Sequence, residues 1–246
     1  MKTICFINHK GGVGKTTLSF NYAHYLSTKS KVLFLDLDPQ MAASFLFDSF
    51  DDKAYVGRIF RDEIISPAIP AKNIHLLNSG KHLRLLEIKS LLNSRPARAH
   101  LLKKYLTKVQ HKYDFCIIDT APNIDVLIDS TISNSDHCII PIQSEILPIL
   151  GLEAIKELIE EVNIAGNKDI KYSIMINMFS KNTKIQNKVL KEIREEYPNM
   201  ILKNNIRRSI AVVEAQVKKL PIFKLKKDVA GDFIKVFKEL NSKIVK

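Results

Sequence analysis

Cysteine is scarce in this 246-residue sequence: only Cys5, Cys116 and Cys138 occur, each alone inside an apolar run and none in a CxxC pair. An odd, scattered set fits reduced core thiols and tells against a disulfide framework or a zinc site. Long apolar runs are missing too. No segment reaches the ~18 residues that a membrane-spanning helix needs. The stretch Met1–Ile7 leads straight into a glycine-rich loop, too short an apolar run for a signal peptide and without a small-residue cleavage site. A cytoplasmic location is the expectation. There is no internal repeat, no low-complexity tract and no Gly/Ser linker. The proline-containing stretch Ile65–Lys72 reads as a loop within one domain spanning residues 1–246.

What is present is ordinary globular material, 46% hydrophobic and 26% charged, long enough for one α/β domain with a sizeable core. The net charge is +12, from 38 Lys+Arg against 26 Asp+Glu, and such an excess suits a polyanionic partner, nucleic acid or anionic lipid. Short apolar runs predict strands at Thr3–Asn8, Lys31–Asp36, Asn73–Asn78, Tyr113–Asp119, His137–Ile142 and Ile170–Asn177. Between them, apolar residues recur at helical spacing. Leu18, Tyr22, Tyr25 and Leu26 mark a helix over Thr16–Ser30. Leu102, Tyr105, Leu106 and Val109 follow a helix start at Pro96. Leu152, Ile155, Leu158, Ile159 and Val162 share a face of Gly151–Asn163, and Ile185, Val189 and Ile193 mark a further helix. Continuous apolar strands alternating with amphipathic helices predict a twisted, mostly parallel sheet covered by helices on both faces.

The strongest motif is Lys10-Gly11-Gly12-Val13-Gly14-Lys15-Thr16-Thr17, placed between a strand and a helix, the context a phosphate-binding P-loop requires. Glycines let backbone N–H groups turn inward around phosphate oxygens, and the following helix aims its positive dipole end at the same anion. Lys15 is placed to bridge the β- and γ-phosphates, and the Thr16 hydroxyl to ligate Mg²⁺. Two further strands end in acids. Asp36-Leu37-Asp38-Pro39-Gln40 carries two carboxylates two residues apart, which face the same way if the strand continues. Asp119, closing Ile117-Ile118-Asp119, is a Walker B arrangement that holds Mg²⁺ directly or through water.

The loop departs from the usual GxxxxGK[ST] pattern, with His9 at the first glycine and a lysine at Lys10. It resembles the deviant Walker A motif, xKGGxGK[ST], of the ParA/MinD ATPases. The segments Asp36–Gln40, Asp119–Pro122, Ile140–Glu145 with Gly151-Leu152, and Ile206–Ala215 with Leu220-Pro221-Ile222 are similar to further stretches of ParA-type members. The resemblance runs from Lys2 to about Leu240 and is weakest over Asp48–Gln110. It implies a P-loop NTPase-like fold whose nucleotide-binding core covers about 1–180, with a basic C-terminal part of about 200–246 in the same domain. It implies slow, partner-stimulated ATP hydrolysis with Mg²⁺ and an ATP-bound homodimer in which Lys10 reaches the neighbouring subunit's nucleotide. Asp38 would orient the attacking water and Asp36 would support the metal and its waters. Asn177, with Met178 beside it, would lie near the base. The amide of Asn177 suits a purine edge, and a strand-end turn is the competing reading. Met41-Ala42 stands where the family usually has Gly-Asn.

The same resemblance assigns non-specific DNA binding to a basic cluster that includes Lys203, Arg207, Arg208, Lys218, Lys219, Lys224, Lys226 and Lys227. Here Arg207 replaces a proline, and Ala211 stands where a basic residue is frequent. Such side chains hold phosphates without reading bases. A ParB-like centromere-binding protein and a nucleoid location follow from the same family reading, and a helix-turn-helix domain ahead of the P-loop is not expected. The rival is a MinD-like, membrane-associated positioning ATPase, which would use an amphipathic helix. The stripe Val229, Phe233, Val236, Phe237, Leu240 and Ile244 has that form, but core packing is the preferred reading, so a membrane partner is not expected. An iron–sulfur electron-transfer ATPase lacks suitably placed cysteines, and a small-molecule kinase or ligase lacks an identifiable acceptor pocket.

Overall fold

The computed structural model describes residues 1–246 except 82–83, 123–125, 144–147, 167, 181–183, 226 and 246. Ser144, Glu145 and Lys226, named above, lie outside the described residues. Seven strands form one sheet: β1 (Lys2–Phe6), β2 (Val32–Leu37), β3 (Ala68–Ala71), β4 (Ile74–Leu77), β5 (Phe115–Thr120), β6 (His137–Ile142) and β7 (Lys171–Ile176). Their spatial order is β3-β4-β2-β5-β1-β6-β7. All neighbouring pairs are parallel except β3 with β4.

The helices are α1 (Lys15–Leu26), α2 (Ala42–Leu46), α3 (Gly57–Arg61), α4 (Leu85–Ser94), α5 (His100–Val109), α6 (Val126–Ser133), α7 (Pro148–Gly166), α8 (Lys184–Glu196), α9 (Ile210–Val217) and α10 (Val229–Ile244). The strands read as unbroken apolar runs because both sides of the sheet are covered. Alternate residues enter opposite cores. Cys5, Leu33, Leu35, Cys116 and Ile118 face the layer containing α3 to α8. Ile4, Phe6, Val32, Phe34 and Ile117 face the layer of α1, α2, α9 and α10.

The apolar stripe of α10 is buried in that second layer, with Phe233, Val236, Phe237 and Leu240 at most 1% exposed. It is spent on the core. Among the described residues no helix is long and apolar enough to cross a membrane. The three cysteines are free and buried, and Cys5 and Cys138, in register on adjacent strands, sit with their sulfurs 3.3 Å apart.

The expected loop at Ile65–Lys72 requires correction, because it contains β3. Pro70 cannot donate to a ladder, and a proline-bearing strand is tolerated only at a sheet edge, where β3 lies. Pro96 opens a 3₁₀ turn, Pro96–Ala99, and the α-helix itself starts at His100.

Candidate functional site

The site forms where β1, β2 and β5 end. Asp36 of β2 and Phe6 of β1 are both in register with Asp119 of β5. The chain therefore leaves β1 for the P-loop beside two acidic strand ends, at the carboxyl edge where ligands of open α/β sheets bind.

Two glycines of the loop have backbones that disfavour side chains. Gly12 has φ +75° and Gly14 has φ +94°. At Gly14 a Cβ would also lie 2.4 Å from the Asn177 side-chain nitrogen. Gly14 starts α1 with no side-chain cap, so the first N–H groups of that twelve-residue helix are left for an anion. Lys10, Gly11 and Gly12 are exposed, while Val13 and Lys15 are buried. The Asn8 side chain braces the approach, donating to the Pro141 carbonyl at 2.7 Å and accepting from the Lys10 N–H at 2.8 Å.

The Lys15 ammonium folds back over the loop, donating to the Asn8 carbonyl at 3.1 Å and the Lys10 carbonyl at 3.5 Å. Burial lowers its pKa, and the nearby charges of Asp119 and Asp38 oppose that shift. Thr17 accepts from the Gln216 amide at 2.7 Å, which ties α9 to the P-loop helix.

Asp119 is fully buried, and neither of its carboxylate oxygens has a hydrogen-bond partner. Its pKa is pushed up to about 8, first by burial and then by the charge of Asp36; the neighbouring Thr16 hydroxyl, too poorly aligned for a hydrogen bond, offsets only a small part. A buried carboxylate with neither oxygen hydrogen-bonded suits a bound cation. Thr16 and Asp119 fit Mg²⁺ carried in on a nucleotide, since Mg²⁺ keeps waters and phosphate oxygens in its shell and needs only one or two protein ligands.

Asp36 is equally buried but well hydrogen-bonded. One oxygen accepts from the Asp38 N–H at 3.1 Å. The other accepts from the Ser44 N–H at 2.8 Å, the Ser44 hydroxyl at 2.6 Å and the Ser79 hydroxyl at 3.1 Å. Burial nevertheless raises its pKa to about 6. Asp38, 8% exposed, accepts from the Gln40 N–H at 2.9 Å, the hydrogen bond of a tight Asx turn. Met41, at the position of the family's glycine, adopts the same left-handed backbone a glycine would, φ 60°, and heads α2. The turn survives the substitution, with the strain of a Cβ at positive φ.

Asn177 follows β7 directly and is 5% exposed. Its amide donates to the Val13 carbonyl at 2.8 Å, so in this structure it clasps the P-loop. Met178 has φ 54°, and its sulfur accepts from Gln143, whose amide also reaches the Gly12 carbonyl at 3.2 Å.

The basic residues separate into two groups. Lys203, Arg207 and Arg208 line a cleft of about 500 Å³ with Lys235 and Asp232. Arg207 pairs with Asp232 through two hydrogen bonds, at 2.7 and 3.0 Å. Lys218 and Lys219 follow α9. Lys219 lies over the Phe45 ring at 4.4 Å and pairs with Asp48. Sequence reasoning missed the contributions of Asn8, Ser44, Ser79 and Gln216. Of these only Asn8, at the strand end before the loop, left a local signal.

A family model described as an AAA domain matches residues 1–172. A virulence-plasmid ParA family protein of Chlamydia psittaci is 31% identical over 99% of this chain and 96% of its own length. The chain belongs to the ParA/Soj-type P-loop ATPases. The sporulation initiation inhibitor Soj of Bacillus subtilis is 30% identical, covering 90% of each chain. A plasmid partition protein of Borrelia burgdorferi B31, solved with AMPPNP bound, superposes with TM-score 0.86 at 25% identity, over 99% of both chains. As a member of this family, the chain is an ATP hydrolase.

Proposed function

We propose that this ParA-type ATPase is an ATP-driven dimerisation switch that holds DNA non-specifically and partitions plasmid or chromosomal DNA with a ParB-like partner. The observation that carries the reading is the pairing of an orphaned carboxylate, Asp119, with a P-loop that has one lysine folded inward, Lys15, and one exposed, Lys10.

In this reading ATP sits on the backbone of Gly11 to Thr17. Thr16 and Asp119 hold Mg²⁺, which when bound neutralises phosphate charge. Lys15 swings from the Asn8 carbonyl to the β/γ-phosphates. Asp38, fixed by its turn, orients the attacking water. Lys10 supplies its charge to the nucleotide of the facing subunit, as an arginine finger does. The apolar residues Phe45 and Val217, 52% and 77% exposed, line a cleft with Thr16 beside the P-loop and suit a face that is covered on closure. Asn177 and Met178 border the site on the base side, and opening of the Asn177–Val13 clasp would free its amide for adenine.

DNA retention falls first to Lys203, Arg208 and Lys218, with Arg207 already charge-compensated by Asp232 and Lys219 by Asp48. Such contacts place the protein on the nucleoid and give a steep salt dependence. Retention of random-sequence duplex on a filter, with ATP, ADP or no nucleotide, tests the reading. Retention that requires ATP and weakens by roughly a thousandfold or more between about 50 and 200 mM salt is expected for several phosphate contacts. Equal retention in all three conditions would remove the switch.

A further inference from the structure

The carboxylate of Asp36 is held by four donors: the Asp38 N–H on one oxygen, and the Ser44 N–H, the Ser44 hydroxyl and the Ser79 hydroxyl together on the other. Asp36, Ser44 and Ser79 are each 0% exposed. The two serines also meet each other, with their oxygens 3.3 Å apart, and the Ser79 N–H donates to the Ser44 oxygen at 3.1 Å. The three residues come from the end of β2, the third position of α2 and the turn after β4.

Ser79 is itself fixed. Its turn is closed by the Gly80 N–H donating to the Asn78 side chain at 2.9 Å, and Asn78 is anchored by its amide to the Asp51 carbonyl at 2.7 Å. The turn is thus a rigid post outside the nucleotide loop. The Asp38 N–H is the donor to Asp36, and the Asp38 carbonyl accepts from Met41 at 3.0 Å. The backbone hydrogen bonds of Asp38 thus run to Asp36 and to the start of α2, and Ser44 and Ser79 hold Asp36.

We infer that Ser44 and Ser79 are positioning residues for ATP hydrolysis: through Asp36 they lock the segment carrying Asp38 to the post after β4. The inference rests on the reading that Asp38 orients the attacking water. The serines touch neither nucleotide nor metal. Their hydroxyls set the angle at which the Asp38 carboxylate meets the water, and a misplacement on the order of 1 Å at such a group costs about a hundredfold in rate.

The test is a double-mutant cycle on the full-length chain with Mg²⁺-ATP. Turnover (kcat) and the dissociation constant of a fluorescent ATP analogue are measured for wild type, Ser79→Ala, Ser44→Ala, Asp38→Ala and Ser79→Ala/Asp38→Ala, with thermal unfolding as a check of fold. Ser79→Ala is expected to lower kcat by roughly ten- to a hundredfold, with the dissociation constant within about twofold. In the Asp38→Ala background the serine change should lower kcat no further, since both act through one group. Ser44→Ala retains its backbone N–H to Asp36 and should give a smaller loss, which keeps the cycle usable if Ser79→Ala fails to fold. Wild-type turnover in both serine variants overturns the inference. So does a loss that adds in full to that of Asp38→Ala, or a loss that appears in nucleotide affinity and not in kcat. If Asp38→Ala itself turns over like wild type, the reading of Asp38 has failed, and the inference with it, by a signature none of the other outcomes shares.

Discussion

Replacing Gly14 with alanine probes the P-loop at its most constrained point. A side chain at φ +94° costs about 1–2 kcal/mol by the usual left-handed penalty. The new Cβ would also stand 2.4 Å from the Asn177 side-chain nitrogen, closer than any real Cβ contact. One of the two must move, and the movement breaks the 2.8 Å bond from Asn177 to the Val13 carbonyl. Leaving that buried pair unsatisfied adds about 1–3 kcal/mol. The total, about 2–5 kcal/mol, divides between folding and the loop geometry that cradles phosphate. Denaturant unfolding and titration with a fluorescent ATP analogue read the two parts. Gly14→Ala should be destabilised and should bind nucleotide at least about tenfold more weakly, since 1.4 kcal/mol is a factor of ten. Asn177→Ala in the same chain should restore part of the loss by removing the clash. Gly11→Ala is the control: its Cβ meets nothing within 4 Å, so its unfolding should match wild type within about 0.5 kcal/mol. A Gly14→Ala protein with wild-type unfolding and wild-type nucleotide affinity would refute the clasp between β7 and the loop.

Further outcomes follow from the charges. Asp119→Asn removes a buried charge whose oxygens have no partner, so without nucleotide and metal it should be more stable than wild type at pH 8, yet hydrolyse ATP at least about a hundredfold more slowly; equal unfolding midpoints would show that the carboxylate is solvated. His24 and His137 have pKa values held down to about 4, mainly by burial. The unfolded chain therefore binds protons that the folded one refuses between about pH 6.5 and 4, and stability falls through that window by up to about 3 kcal/mol for each histidine. Denaturant midpoints at pH 7 and 4.5 should show a smaller acid loss in His137→Asn than in wild type, and parallel curves would contradict the assignment. Charge reversal at Arg208 should weaken ATP-dependent DNA retention and shallow its salt dependence without changing basal ATPase, whereas an unaffected Arg208→Glu would move the DNA face elsewhere.

Much of this was legible in the residues because the signals are local. The P-loop is eight consecutive residues, and β1, β2, β5, β6 and β7 are apolar runs made continuous by burial on both faces. The stripe on α10 was readable because sixteen residues give more than four turns of periodicity. The helices α2 and α3 have five residues each, too few for a period to show. Edge strand β3 has neither alternation nor a proline-free run. The pattern Leu85, Ile88 and Leu92 of α4 was present but lay where the family resemblance is weakest. Within the site, acids at strand ends announce themselves, whereas the partners that decide what those acids do are distant. Ser44 and Ser79 stand 8 and 43 residues from Asp36, and Asn177 stands 164 from Val13. A serine or an asparagine carries no mark of a contact formed only when the sheet assembles. Asp36 and Asp119 look alike in sequence, and folding alone hydrogen-bonds one and strands the other.

The most direct test of the switch is the solution mass of the Asp38→Ala protein with Mg²⁺-ATP, by light scattering, with and without Lys10→Ala. A slowed hydrolysis step should hold the chain at twice its 28.0 kDa mass, and the added Lys10→Ala change should return it to the single-chain mass while ATP stays bound. A dimer that persists without the Lys10 side chain, or a monomer in both proteins, would contradict it.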